Sequence, residues 1–90
     1  MTYFVYILEC ADKSLYTGST NDLKKRLKQH NELKSGAHYT KIRRPVKLVY
    51  SEKFKTLDMA RQREAEIKSR RKEKKLKLIE KRRDNFSDSM

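Results

Sequence analysis

Apolar residues crowd the start of this chain, where Tyr3 to Leu8 reads Tyr-Phe-Val-Tyr-Ile-Leu. An unbroken β-branched and aromatic run predicts a largely buried strand. Ala11-Asp12-Lys13-Ser14 predicts a turn and Leu15 to Gly18 begins a second strand, so a hairpin opens the fold. Thr20-Asn21-Asp22 offers N-cap candidates and a first-turn acid for a helix from Asp22 to Leu33, which Ser35-Gly36 ends. A polar loop through Tyr39 and Thr40 reaches Pro45, and Val46 to Tyr50 is a third strand. Thr56 caps a second helix running to Ser69, and a third covers Lys72 to Arg83 with Leu76 and Ile79 inward. The order ββαβαα predicts an α+β fold: one domain over residues 1–83 and a frayed tail over 84–90.

Three polar side chains break this pattern. At 100° per residue, Leu23, Leu27 and Leu33 set the apolar stripe of the first helix, and Arg26 and His30 fall inside it. On the second helix Leu57, Ala60 and Ile67 set the stripe; Glu64 falls within it and Glu66 points nearly the other way. An inward guanidinium, imidazole or carboxylate is costly unless paired or coordinated. Two readings follow. In one, Glu64 and Arg26 form an ion pair at the core edge and His30 is a satisfied, semi-buried histidine. In the other they line a cleft where the carboxylate holds a cation and the arginine meets a phosphate. Tyr6 and Tyr16 divide in the same way, as cross-strand packing partners or as hydroxyls that position or deprotonate a water.

Charge changes the picture next. The 90 residues carry 24 Lys/Arg against 12 Asp/Glu, a formal charge of +12. The excess is spread along the chain, nine against four in residues 1–45 and fifteen against eight in residues 46–90. Nucleic acid is the commonest partner for such a field, ahead of an anionic membrane surface. The densest run, Lys68 to Arg83, is interrupted by leucines and an isoleucine, which favours a helix over a disordered basic tail. The backbone contacts expected on this basis are Lys24 and Lys25 on the first helix and Lys68, Arg70, Arg71 and Lys74 in the basic run. Cys10 is the single cysteine, so no internal disulfide forms, a zinc site lacks ligands, and a reducing cytoplasm is expected. No apolar stretch reaches membrane-spanning length, and the N-terminus lacks the features of a signal peptide.

At this point the residues resemble a known family. Val5-Tyr6 followed by Tyr16-Thr17-Gly18 is similar to the paired signature of the GIY-YIG nuclease superfamily. Gly18-Ser19-Thr20-Asn21-Asp22-Leu23, with Arg26 and His30-Asn31, resembles its signature helix, and Arg63 to Lys68 resembles its glutamate-bearing helix. The match extends through Tyr39-Thr40, Arg44-Pro45-Val46 and Lys75 to Ile79, and points to the small single-domain bacterial branch often called YhbQ-like. The resemblance implies a three-stranded antiparallel sheet flanked by helices. It also implies roles: Tyr6 and Tyr16 at the water nucleophile, Arg26 on the scissile phosphate, Glu64 on the metal, His30 supporting the site, and Gly18 letting the backbone turn closely beneath the cleft. Phe4-Val5-Tyr6 and Tyr16-Thr17-Gly18 depart from the family's own letters but keep both tyrosines and the final glycine. Lys13 stands where relatives often place a turn glycine, and no targeting domain accompanies the motif.

The implied chemistry is hydrolysis of a phosphodiester, DNA ahead of RNA, in the repair or processing of structured or single-stranded forms, with one divalent ion, Mg²⁺ or Mn²⁺. Mg²⁺ keeps several waters and takes substrate oxygens as ligands, so one carboxylate at Glu64 can suffice once nucleic acid is bound. Tyr6 as general base requires its pKa to fall from about 10, which a neighbouring cation or the metal would bring about. The competing reading is a non-catalytic nucleic-acid-binding module of the same fold. A third is an accessory protein docked on an RNA-rich assembly through its basic helices.

Overall fold

The computed structural model describes residues 2–32 and 42–88, and for 82–88 the backbone only. Strands β1 (Tyr3–Glu9) and β2 (Leu15–Thr20) form the hairpin, and β3 (Lys47–Phe54) completes an antiparallel sheet of order β2-β1-β3. Helix α1 (Leu23–Glu32) follows β2, while α2 (Leu57–Lys68) and α3 (Lys72–Asp88) follow β3. This is the α+β architecture that the order of elements predicts. The expected close of the first helix at Ser35-Gly36 and the loop through Tyr39 and Thr40 lie outside the described residues.

Because β1 is central, its alternate side chains supply two different layers. Val5 and Ile7 join Ala60, Ile67 and Ile79 in an apolar core beneath α2 and α3. Tyr6, Leu8 and Cys10 join Val46 on the opposite face, where Tyr16, Leu23 and Leu27 pack against them. Cys10 is a buried free thiol. Asp22 caps α1, its Oδ1 accepting from the backbone N–H of Lys25 at 3.1 Å. Thr56 caps α2 by accepting from Met59 N at 3.2 Å. Each cap satisfies a backbone donor that the first helical turn leaves free.

Three boundaries or orientations differ from the sequence pattern. Strand β3 continues to Phe54 because Ser51, Glu52, Lys53 and Phe54 pair with Tyr6, Val5, Phe4 and Tyr3 of the central strand. Pairing decides there, since an edge strand tolerates polar side chains. Helix α3 runs on to Asp88, as no glycine or proline stops it after Arg83. Leu76 is 39% exposed. The inward edge of α3 is Leu78 and Ile79 instead, with Lys75 half-buried above Ile79. The turn at Lys13 does adopt the left-handed region, with φ 71°. A non-glycine residue carries a cost of about 1–2 kcal/mol in that region.

Candidate active site

The site is built where β2 meets α1, on the Tyr6 face of the sheet. Register places Tyr6 opposite Gly18 and Leu8 opposite Tyr16. The Tyr6 ring lies across Gly18: a Cβ there would stand 2.5 Å from Tyr6 Oη and 3.2 Å from Tyr16 Cε1. Glycine is therefore required by the ring above it and not by a turn, as Gly18 does not have positive φ.

Helix α1 brings its two inward polar residues onto these tyrosines. His30 is fully buried, and its Nε2 lies 3.0 Å from Tyr6 Oη. Its ring centroid is 5.9 Å from that of Tyr6 and 5.1 Å from that of Tyr16, both edge-on. The Arg26 guanidinium interacts with both tyrosine hydroxyls and donates to Gln29 Oε1 at 2.9 Å. Arg26 can only donate, so toward it Tyr6 Oη is an acceptor, and the hydroxyl still has its own proton to give. In the tautomer protonated on Nδ1, His30 Nε2 accepts that proton.

The electrostatics agree with a neutral Tyr6–His30 pair. Burial, assisted by the Arg26 and Arg44 charges, pushes the imidazole pKa down to about 4. Burial pushes the Tyr6 phenol up to about 12, with Tyr16 and Glu64 acting in the same direction and Arg26 against it. A lowered Tyr6 pKa is thus not what this environment produces, because desolvation outweighs the single cation. For Arg26, desolvation opposes its charge, but the contacts with Tyr6 and Tyr16 outweigh that and hold its pKa above the ordinary value.

Glu64 approaches from α2, the helix that packs on the Val5 and Ile7 face of the sheet. Ser19 Oγ donates to its Oε1 at 2.6 Å, and Lys68 Nζ lies 2.7 Å from its Oε2. Partial burial raises its pKa, yet hydrogen bonds from Lys68 and Ser19 and the Lys68 and Arg61 charges bring it below the ordinary range. No ion pair joins Glu64 to Arg26 among the described residues, although Glu64 is near enough to act on Tyr6. Glu66 faces outward, paired with Arg63 and Arg70 at 2.8 and 2.7 Å.

Sequence reasoning missed the residues that hold this arrangement. Arg44 donates from Nε to His30 O and from Nη2 to Gln29 O, satisfying the last carbonyls of α1 beside the site. Asn31 makes two bonds with Val46, Nδ2 to O at 3.0 Å and N to Oδ1 at 2.8 Å, which dock α1 on the approach to β3. Ser19 orients Glu64. Of the basic residues expected on nucleic acid, Lys68 and Arg70 are engaged by Glu64 and Glu66. Among the described residues, Lys24, Lys25, Arg71 and Lys74 are exposed and make no ion pair.

The chain has relatives among known proteins. A family model described as the GIY-YIG catalytic domain matches residues 2–77. The chain belongs to the GIY-YIG family. A UPF0213 protein of Syntrophus aciditrophicus is 55% identical over 76 residues, covering 84% of this chain and 87% of that one. The UPF0213 protein SSP2268 of Staphylococcus saprophyticus is 54% identical over 77 residues, covering 86% and 93%. The solution structure of the UPF0213 protein BH0048 from Bacillus halodurans is 41% identical, with a TM-score of 0.57 over 89% of this chain and 84% of that one. Membership implies a nuclease-like activity and suggests nucleic acid as partner. No helix among the described residues is long and apolar enough to cross a membrane.

Proposed function

We propose that this GIY-YIG domain hydrolyses phosphodiester bonds of nucleic acid, DNA in preference to RNA, with Tyr6 and His30 acting as one proton-transfer unit. The observation that carries this reading is the Tyr6 hydroxyl, held 3.0 Å from a neutral imidazole and facing a guanidinium that binds phosphate well. With a pKa raised to about 12, Tyr6 does not need to ionise beforehand. As it accepts a proton from the attacking water, its own passes to His30 Nε2, so no free phenolate accumulates. A phosphate beside Arg26 offsets one of the charges that depress the imidazole, which makes His30 a better acceptor once substrate is bound. Arg26 neutralises charge developing on the phosphate, and Tyr16 presents a second hydroxyl at the mouth of the site.

Glu64 would hold the divalent ion. Its donor set is a single hard carboxylate, and no group of three His, Cys, Asp or Glu forms a metal cage among the described residues. That fits Mg²⁺ or Mn²⁺ with water and phosphate oxygens completing the shell, and does not fit zinc. When bound, the ion would stabilise charge on the leaving oxygen. A non-catalytic binding module draws support from one feature: Ser19 and Lys68 already engage both Glu64 oxygens.

The deciding experiment is cleavage of duplex, nicked, branched and single-stranded substrates with Mg²⁺ or Mn²⁺. Cleavage lost in Glu64→Ala and kept in Glu66→Ala supports the hydrolase. Binding without cleavage by the wild-type protein, with either metal, supports the module.

A further inference from the structure

The sheet face that carries the site continues one row further along the strands. Beside the row Gly18–Tyr6–Ser51 lies the row Thr20–Phe4–Lys53, by the same register. Alternation along β1 puts Phe4 on the Tyr6 face, since Val5 and Ile7 belong to the opposite core. Phe4 is half-buried yet, among the described residues, packs against neither core cluster. Lys53 next to it is exposed and, among the described residues, makes no ion pair. An aromatic ring at the centre of a sheet normally contributes its large area to a core. Here its neighbours are a threonine, a lysine and, one pleat away, the candidate active site.

We propose that Phe4 is a stacking platform for an unpaired base of the strand whose phosphate reaches Tyr6 and Arg26. The inference deepens the nucleic-acid reading above and rests on it: it names single-stranded or locally unpaired nucleic acid as the preferred substrate form. Every base offers a π-face, and aromatic side chains on open sheets capture it with little regard to sequence. The flat floor of a sheet reaches that face only when the base is out of a duplex stack. Phe4 and Tyr6 are two residues apart on one strand, about 6.6 Å. A base on Phe4 and a phosphate at Tyr6 therefore belong to adjoining nucleotides. Lys53, and the overall charge of +12, supply the complementary field for the connecting backbone.

The test is binding without metal, so that cleavage plays no part. Fluorescence anisotropy would compare a labelled single-stranded oligonucleotide with its blunt duplex, in chelator, over a range of salt. Phe4→Ala and Phe4→Leu should weaken single-strand binding by roughly 5- to 100-fold, leave duplex binding within about twofold, and keep the salt slope. Phe4→Tyr should restore single-strand affinity. Leucine keeps apolar bulk without a π-face, so its failure separates stacking from packing, and thermal melting reports whether Phe4→Ala is folded. Equal losses on duplex and single strand, or wild-type affinity in Phe4→Leu, would overturn the platform while leaving the hydrolase reading intact. A change of oligomeric state in the Phe4 variants without loss of single-strand affinity would assign the patch to a second copy and overturn it too. Failure of the wild-type protein to bind either nucleic acid would overturn both readings.

Discussion

The two faces of one three-stranded sheet are held by different physics. Beneath α2 and α3, Val5, Ile7, Ala60 and Ile67 are completely buried and apolar. On the other face the same central strand presents Tyr6 to His30, Arg26 and Tyr16, linked by directional contacts. The apolar face contributes stability in proportion to area removed from water. The Tyr6 face adds its own apolar cluster of Leu8, Cys10 and Val46, and its hydrogen bonds contribute less, because each replaces one to water. What it holds instead is a defined geometry and two displaced pKa values. Alternation along β1 thus lets one seven-residue strand anchor the fold and frame the candidate site without compromise between them.

The sharpest way to break this comparison is to disturb the polar face alone. Tyr6→Phe keeps the ring and removes the shared proton, so cleavage should slow by roughly 10²–10⁴ with only a small change in thermal midpoint. Gly18→Ala should act through the same group. Its Cβ cannot share the 2.5 Å gap with Tyr6 Oη, so the ring must leave its place beside His30. Single-turnover rates near wild type in either variant would show that the Tyr6–His30 unit does not move the proton.

The complementary cut is in the apolar face. Ile7→Ala removes a fully buried side chain from the core and should cost about 2–5 kcal/mol in urea unfolding, enough to threaten a domain of this size. In whatever fraction stays folded, turnover per folded molecule should persist. A loss of turnover beyond the loss of folded protein would mean that the two faces are coupled.

These contrasts also show what the sequence made legible. The inward placement of Arg26, His30 and Glu64 could be read from helical periodicity, because each side chain's direction depends on its own helix. The α+β order could be read from strand composition and turn chemistry. Leu76 could not be placed, because a basic helix with scattered leucines leaves its inward edge to the packing partner, which selects Leu78 and Ile79. Ser19 and Arg44 lie inside motifs that the resemblance matches, but nothing local shows what either touches. Ser19 meets Glu64 45 positions along the chain, and Arg44 meets His30 across 14 positions. The direction of the Tyr6 shift was illegible for the same reason: it depends on how tightly α1 closes over the phenol, which no spacing encodes.

A third prediction uses pH to separate the faces. His30 is held neutral, its pKa lowered to about 4 by burial and by Arg26 and Arg44. The folded value lies below the unfolded one of about 6.5. Above pH 6.5 the imidazole is neutral in both states and carries no penalty. As pH falls from about 6.5 toward 4 the unfolded chain takes up a proton that the folded chain refuses, so stability declines, by at most about 3 kcal/mol. His30→Gln should lose less stability over that interval than the wild type. Denaturation curves at pH 7 and pH 4.5 for the two proteins provide the measurement, and parallel losses would show that His30 titrates normally.

The smallest effect concerns a polar group on the wrong face. Thr17 lies in β2 opposite Ile7, on the side of the sheet that faces the apolar core, and is 3% exposed. Its Oγ1 is buried and, among the described residues, has no hydrogen-bond partner. The backbone at this position serves the site, since Tyr16 and Gly18 flank it, but the hydroxyl points away from them. Burying a hydroxyl without a partner costs about 1–3 kcal/mol on protein scales. Valine has nearly the same shape and a stronger preference for strands. Thr17→Val should therefore raise stability by about 1 kcal/mol, read as a higher urea midpoint at unchanged m, and should leave cleavage alone. An unchanged midpoint would mean that water satisfies the hydroxyl. Slower cleavage would mean that the apolar face reaches the site through β2, where Ser19, two residues on from Thr17, already holds Glu64 of α2.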